Sequence, residues 1–319
     1  MKEKYNKEKK ILKKFSFKKN FYKFIFNLKI VIVFLLFLFY FYFSLTIHQK
    51  LKIALCTMGR LENLYVKEFV YYYKKLGIDK IFIYDDNDLN SENINDVNPL
   101  KYYAKVFKMK NIIKTQNDAY THCYKTYKHK YDWFLMIDMD EYLVIVNDTL
   151  KNYLSNPIFK KCDFIKFNWI IPTDNNLVHY DNRSLFERFK GPYHKSGSVK
   201  TIIRGNINNL LYHVHSPFYS PEKNISCNNV GKIIKNAIKI DIETVRPINI
   251  KKAYIIHFQF KSTEEVINKY KRGYRDWLKR KTQKFLYGKI KSYFRMNNIT
   301  KEKIDYIERE LNLNLTQII

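Results

Sequence analysis

The sequence predicts an α/β fold, a mixed and mostly parallel sheet flanked by helices, carried behind an N-terminal transmembrane helix. Three observations predict it. Short apolar runs ending in Gly or acidic residues alternate with stretches of helical period between Leu51 and Leu143, the pattern of parallel strands joined by crossover helices. The 18 residues Ile30–Ile47 carry no charge. The 319-residue chain is 46% hydrophobic with only 8 Gly and 7 Pro, which supplies a core and excludes collagen-like, linker-like and wholly disordered proteins.

Residues 1–29 hold 11 Lys and 2 Glu, a basic tail of local charge +9. Ile30–Ile47 would span roughly 27 Å as a helix, close to the hydrocarbon thickness of a bilayer. The Lys excess on its N-terminal side predicts a cytosolic tail and a type II signal anchor, with residues 48–319 lumenal. Sequons at Asn147, Asn182, Asn224, Asn298 and Asn314 fit that side of the membrane. Cys56, Cys123, Cys162 and Cys227 allow up to two disulfides in three full pairings and show no zinc-site spacing.

Within the lumenal part, Lys52–Met58 reads as a buried strand broken by Gly59. Leu61, Leu64, Tyr65, Phe69, Tyr72 and Leu76 recur at helical spacing before a Gly77 C-cap. Lys80–Asp88 and Tyr102–Lys108 read as strands, and Thr115 with Asp118 as the capping box of a helix reaching about Lys130. Tyr131–Leu143 reads as one further buried strand. Beyond it, strands are expected at Asp163–Ile171, Val199–Gly205, Leu210–His215 and Ala253–Phe260, then a helix opened by a Ser262/Glu265 capping box. The catalytic domain is expected over 48–275, with 276–319 a polar, helical, peripheral C-terminal extension.

Ligands of open parallel sheets bind beyond the carboxyl ends of the strands. Polar residues collect there: Thr57 and Arg60 after the first strand, Asp85–Asp88 after the second, Asp138–Glu141 after the fourth. Asp138-Met139-Asp140-Glu141 follows the apolar run Phe134–Ile137, so closely spaced carboxylates are delivered to one rim. Burying them unpaired would be costly, and a hard divalent cation, Mn2+ or Mg2+, is a natural compensation that keeps sites free for a substrate diphosphate.

The segments LCTMGRLENLYVKEFVYYYKKLGIDKIFIYDDND and YDWFLMIDMDEYL resemble the opening and the metal-binding strand of family 92 glycosyltransferases and the related GT-A fold group. The likeness continues through FNWIIPTDN, NRSLFERF, VKTIIRG, LLYHVHSP and IIHFQFKSTEEVINKYKRGY, covering roughly Leu51 to Tyr274 in order. The resemblance implies a GT-A-type, Rossmann-like domain that transfers a hexose, such as galactose, from a UDP-sugar to a glycan acceptor with inversion. It implies Thr57, Arg60, Glu62, Asp85 and Asn87 around the nucleotide, and Asp138 and Asp140 on metal and diphosphate. Glu141 would brace them or the donor sugar, with Lys200 adding charge for phosphates. His215 or His257 would complete the metal site. On the acceptor side it implies Trp169 and Asn175, with Asp174 or Glu187 as the base that deprotonates the acceptor hydroxyl.

The formal charge of +28 does not call for nucleic acid: its first +9 lies on the tail, and Lys, Asn, Ile, Tyr and Phe are enriched together. Topology and likeness imply a Golgi or other secretory-pathway membrane. The alternative from another class is a non-catalytic, membrane-anchored lumenal protein whose basic surface binds acidic glycans or lipid.

Overall fold

A computed structural model describes residues 27–40, 51–109, 115–208, 210–212, 215, 217–218, 224–234, 244–272 and 283–315. The chain divides into two units, Met1–Lys50 and Leu51–Ile319. In the first, residues 27–40 form helix α1 with every described side chain exposed. The expected span at 30–47 is therefore described only to residue 40, and 41–47 lie outside the described residues. Among the described residues no helix is long and apolar enough to cross a membrane.

The second unit is built on a nine-stranded sheet. Strand β1 (Ile53–Gly59), helix α2 (Asn63–Leu76), strand β2 (Lys80–Asp85), the short helix α3 (Ile94–Val97), strand β3 (Ala104–Lys108), helix α4 (Gln116–Tyr127) and strand β4 (Trp133–Met136) follow one another. β2 pairs in parallel with both β1 and β3, and β1 in parallel with β4. Alternation along β1 explains why both faces are apolar. Ile53 and Leu55 pack in one cluster with Tyr65, Val66, Phe69 and Tyr73 of α2. Ala54 and Cys56 pack in another with Ala119, Tyr120, Cys123 and Tyr124 of α4. Gly77 caps α2 in the left-handed conformation at φ 102°, and Thr115 and Asp118 form the capping box of α4.

Tyr131–Leu143 is not one strand. β4 stops at Met136, the acidic residues form a turn, and Glu141–Ile145 is a separate strand β5. Strand β6 is Phe164–Pro172, after the short helix α5 (Leu150–Ser155), and strand β7 is Tyr193–Arg204, after helix α6 (Leu185–Arg188). Three short strands, β8 (Leu211–Tyr212), β9 (Pro217–Phe218) and β10 (Ser226–Asn228), precede β11 (Ala253–His257). The sheet order is β3-β2-β1-β4-β7-β6-β11-β5, with β10 on β6. The β4·β7, β6·β7 and β5·β11 pairs are antiparallel. An apolar-acidic run cannot reveal such a split, because the turn's carboxylates look like a strand's polar end.

Both disulfides form, as Cys56–Cys123 and Cys162–Cys227. The first ties α4 to β1, and the second ties the entry of β6 to β10. Helices α7 (Thr263–Arg272), α8 (Gln283–Met296) and α9 (Lys301–Leu311) close the unit. α8 and α9 are not peripheral: Ile290, Tyr293 and Ile307 are fully buried in the larger core.

Candidate active site

The acidic turn is braced from several sides. The Glu141 N–H donates to the Asp138 carbonyl at 3.1 Å, and the Asp138 N–H donates back to Glu141 Oε2 at 3.0 Å. The Tyr73 hydroxyl of α2 donates to the Glu141 carbonyl at 2.8 Å, and the Phe258 N–H donates to the Asp140 carbonyl at 2.9 Å. Gly59, ending β1, leaves room for the turn: a Cβ there would stand 3.0 Å from Met139 Cε and 2.8 Å from Ile94 Cδ1.

Strand register brings the counter-charges. Thr201 of β7 faces Met136, the last residue of β4, so Lys200 falls beside the turn, 2.9 Å from Asp138 Oδ1 and 3.6 Å from Glu141 Oε2. His257 of β11 faces Glu141 of β5; its Nε2 is 3.6 Å from Asp140 Oδ1 and its Nδ1 is 3.8 Å from Glu141 Oε1. Lys269 of α7 reaches Asp140 Oδ2 at 2.8 Å. From α4, the Tyr120 hydroxyl donates to Asp138 Oδ1 at 3.0 Å, and Gln116 Nε2 donates to the same oxygen.

The resulting proton affinities diverge. Burial is the largest single influence and pushes Asp138 and Asp140 up, but Lys200 and His257 together at Asp138, and Lys269, His257 and Lys261 together at Asp140, leave both below the usual carboxylate range. Glu141 goes the other way: burial, helped by the charges of Asp138 and Asp140, holds it well above that range against the pull of Lys200. Burial works against the Lys200 ammonium, yet Asp138 and Glu141 raise it above the usual lysine value.

Trp169 of β6 joins the two candidate histidines to this cluster. Its ring meets His257 edge-on at 4.4 Å between centroids and His215 at 5.4 Å. His257 is thus the imidazole against the carboxylates, whereas His215 lies against Trp169 and its carbonyl accepts from the Thr201 hydroxyl at 2.8 Å.

The residues expected around a nucleotide lie at the neighbouring strand ends, in different roles. Thr57 Oγ1 and Asn87 Nδ2 are buried without a hydrogen-bond partner among the described residues. Arg60 faces Asp88 at 3.3 Å and Asp86 at 4.0 Å. Glu62 is paired with Arg272 at 2.6 Å and Lys261 at 3.6 Å. Asp85 departs from the expectation of nucleotide contact. Its side chain is 0% exposed and paired with Lys108 at 2.7 Å, and it accepts the N–H groups of Asn87 and Ile94, so it shapes the loop after β2.

The surroundings of Asp174 and Glu187 do not suit the expected base. Asp174 is buried; its Oδ2 accepts from Lys303 Nζ at 2.7 Å and from the Tyr293 hydroxyl, and its Oδ1 from the Asn176 N–H. A carboxylate so committed is not placed to take a proton from an acceptor. Glu187 is exposed and forms the capping box of α6 with Ser184, which accounts for it as a helix cap. Asn175 sits in a turn at φ 49° and its Nδ2 donates to the Arg188 carbonyl at 3.0 Å.

Sequence reasoning missed Gln116, Tyr120, Lys261, Lys269 and Arg272. Lys269 and Arg272 are three apart on α7, hence on one helix face, which is the signal that was present. Nothing local ties that face to Asp140.

The donor set suits a hard divalent cation. Carboxylates and an imidazole are oxygen and nitrogen ligands fit for Mn2+ or Mg2+, and the buried Glu141 Oε1 and His257 Nδ1, 3.8 Å apart, have no hydrogen-bond partner among the described residues. Among the described residues no group of three or more His, Cys, Asp or Glu is arranged to hold an ion by itself.

A mostly parallel sheet with a carboxylate turn at its strand ends, beside Lys200, Lys269 and His257, defines an α/β protein with a charged candidate site. A profile of glycosyltransferase family 92 matches residues 49–315. The chain belongs to that family, and so to the glycosyltransferases. It is similar to a family 92 protein of Oryza sativa subsp. japonica, 28% identical over 112 residues, 33% of this chain and 19% of that protein. A Ricinus communis member is 28% identical over 109 residues, 32% and 19% of the two chains. The chain thus spans about a fifth of the length of the curated relatives it matches. Among solved structures, S. aureus TarS aligns with 82% of this chain and 49% of its own at 11% identity and a TM-score of 0.35, too remote to bear on fold or function.

Proposed function

We propose that the protein transfers a hexose, with galactose the first candidate, from a UDP-sugar to a hydroxyl of a glycan acceptor with inversion, in a reaction that depends on Mn2+ or Mg2+. The observation that carries this is the turn between β4 and β5, which carries Asp138 and Asp140 at the strand ends with Asp140 3.6 Å from His257, in a chain of this family. Asp138, Asp140 and His257 would hold the ion. A bound divalent ion stabilises the departing diphosphate as a Lewis acid. Tyr120, Gln116 and Lys200 fix Asp138, Glu141 braces the turn, and Trp169 packs His257 in place.

The protein is proposed to sit in a Golgi or related secretory membrane, anchored by residues 30–47, with its tail cytosolic and its catalytic unit lumenal. The exposed apolar side chains from Leu28 to Tyr40 support the anchor. Two disulfides support an oxidising compartment.

The test uses the full chain in detergent with Mn2+, a panel of nucleotide sugars and mixed glycan acceptors, measuring release of nucleoside diphosphate. At least one UDP-sugar should turn over; EDTA should abolish it and Asp140→Asn should lower it by about 10²–10³-fold. Failure of every donor, or full activity in Asp140→Asn, would overturn the proposal.

A further inference from the structure

Lys200 and Lys269 both neutralise the acidic turn, but they are built differently. Lys200 lies inside the sheet with a side chain 0% exposed, fixed between Asp138 and Glu141. Lys269 projects from a helix, keeps 21% side-chain exposure, and touches Asp140 Oδ2 at 2.8 Å. His257 Nε2 is on the other oxygen at 3.6 Å, so an ammonium and an imidazole divide the Asp140 carboxylate between them.

A divalent ion on Asp140 would contend with that ammonium for the same oxygens, and like charges at contact distance repel strongly where water is scarce. Lys269 also borders an open cavity of about 230 Å3, together with Glu62, Gln259, Lys261 and Arg272. Lys261 and Arg272 are engaged with Glu62 there, whereas the partner of Lys269 is the carboxylate that the metal needs.

We propose that Lys269 is a positioning residue that couples metal to donor: its ammonium stands in for the metal on Asp140, and moves to a phosphate oxygen when a nucleoside diphosphate enters. This rests on the metal- and donor-dependent function proposed above and names the device that makes the two ligands bind together. By linkage, each then raises the affinity of the other by the same factor. Lys200, locked in the sheet, keeps its place throughout.

The test is Mn2+ binding to the full chain in detergent, read from the EPR signal of free Mn2+, with and without UDP. In the native protein UDP should raise Mn2+ affinity at least about tenfold, within the usual size of coupling between two sites. Once the Mn2+ taken up by UDP alone is subtracted, Lys269→Met should bind Mn2+ without UDP about tenfold more tightly than native, and show a smaller gain from UDP. Lys271→Met is the matched control: it removes the same charge from the same helix, where the partner is Glu310 at 2.6 Å, and should behave as native. Equal Mn2+ affinity of native and Lys269→Met without UDP, an undiminished gain from UDP, or the same change in Lys271→Met would overturn the coupling alone. Absence of Mn2+ binding in every protein would overturn the coupling and the metal-dependent function together.

Discussion

Two regions of the second unit set carboxylates against a fully buried lysine, and they do opposite things with them. At Asp174, both carboxylate oxygens are consumed by Lys303, Tyr293 and the Asn176 N–H, with side-chain exposures of 1% for Asp174 and 0% for Lys303. At the acidic turn, Lys200 is as deeply buried, yet the Asp138 side chain keeps 29% exposure, and Glu141 Oε1 and His257 Nδ1 remain without a hydrogen bond. A saturated ion pair is a fastening between helices α8, α9 and the end of β6. An unsaturated one, with more carboxylates than the sheet's own lysine can neutralise, is a place where further charge is welcome. Burial of a carboxylate with a lysine therefore does not by itself separate a fastening from a candidate site.

Four substitutions or titrations would break or sharpen this contrast. The largest effect is expected at the turn: Asp140→Asn should lower kcat/KM by about 10²–10³-fold, the size of losing one electrostatic contact to the transition state, while Tm stays near native. Next, Asp174→Ala should cost about 3–5 kcal/mol of stability, because it leaves the Lys303 ammonium buried and uncompensated. Denaturant melts would show it, and the remaining folded protein should keep native specific activity; a selective loss of activity would return Asp174 to the catalytic candidates.

A third buried lysine gives a smaller, pH-dependent effect. Burial pulls Lys166 of β6 down to about 8 from an ordinary 10.5. Between those values the unfolded chain binds more protons, so stability should rise as pH increases from about 8 to 10.5, by up to about 3 kcal/mol. Below pH 8 the cost is fully present. Lys166→Met should flatten that slope, and urea melts across this pH range would show whether it does. The smallest effect is expected at Glu187, an exposed helix cap: Glu187→Ala should lower Tm slightly and leave turnover unchanged, and a large loss of turnover would contradict its assignment as a cap.

The first half of the domain was legible in the sequence because its rules are local. The short apolar run broken at Gly59, helical spacing in Asn63–Leu76 and the left-handed Gly77 each decide an element within a few residues. The carboxylates of Asp138–Glu141 were legible for the same reason: an acidic cluster after an apolar strand stands out. Their partners were not. Lys269 lies 129 residues from Asp140 and Tyr293 lies 119 from Asp174, so whether a carboxylate is free or spent is decided by contacts that no window along the chain contains. The strand break at the turn was hidden for a related reason: β4 and β5 are adjacent in sequence but belong to distant positions in the sheet, and only the pairing partners reveal it.

That separation has a consequence for how the molecule is made. Three strands lie between β4 and β5 in the sheet, and all three come from later in the chain. The two arms of the turn therefore reach their places in the sheet only once β6, β7 and β11 are present between them. Loop closure over such distances is slow compared with local pairing. A chain stopped before Ala253 would carry every carboxylate of the turn and its Lys200 and Tyr120 contacts, but neither the His257 nor the Lys269 that meets Asp140.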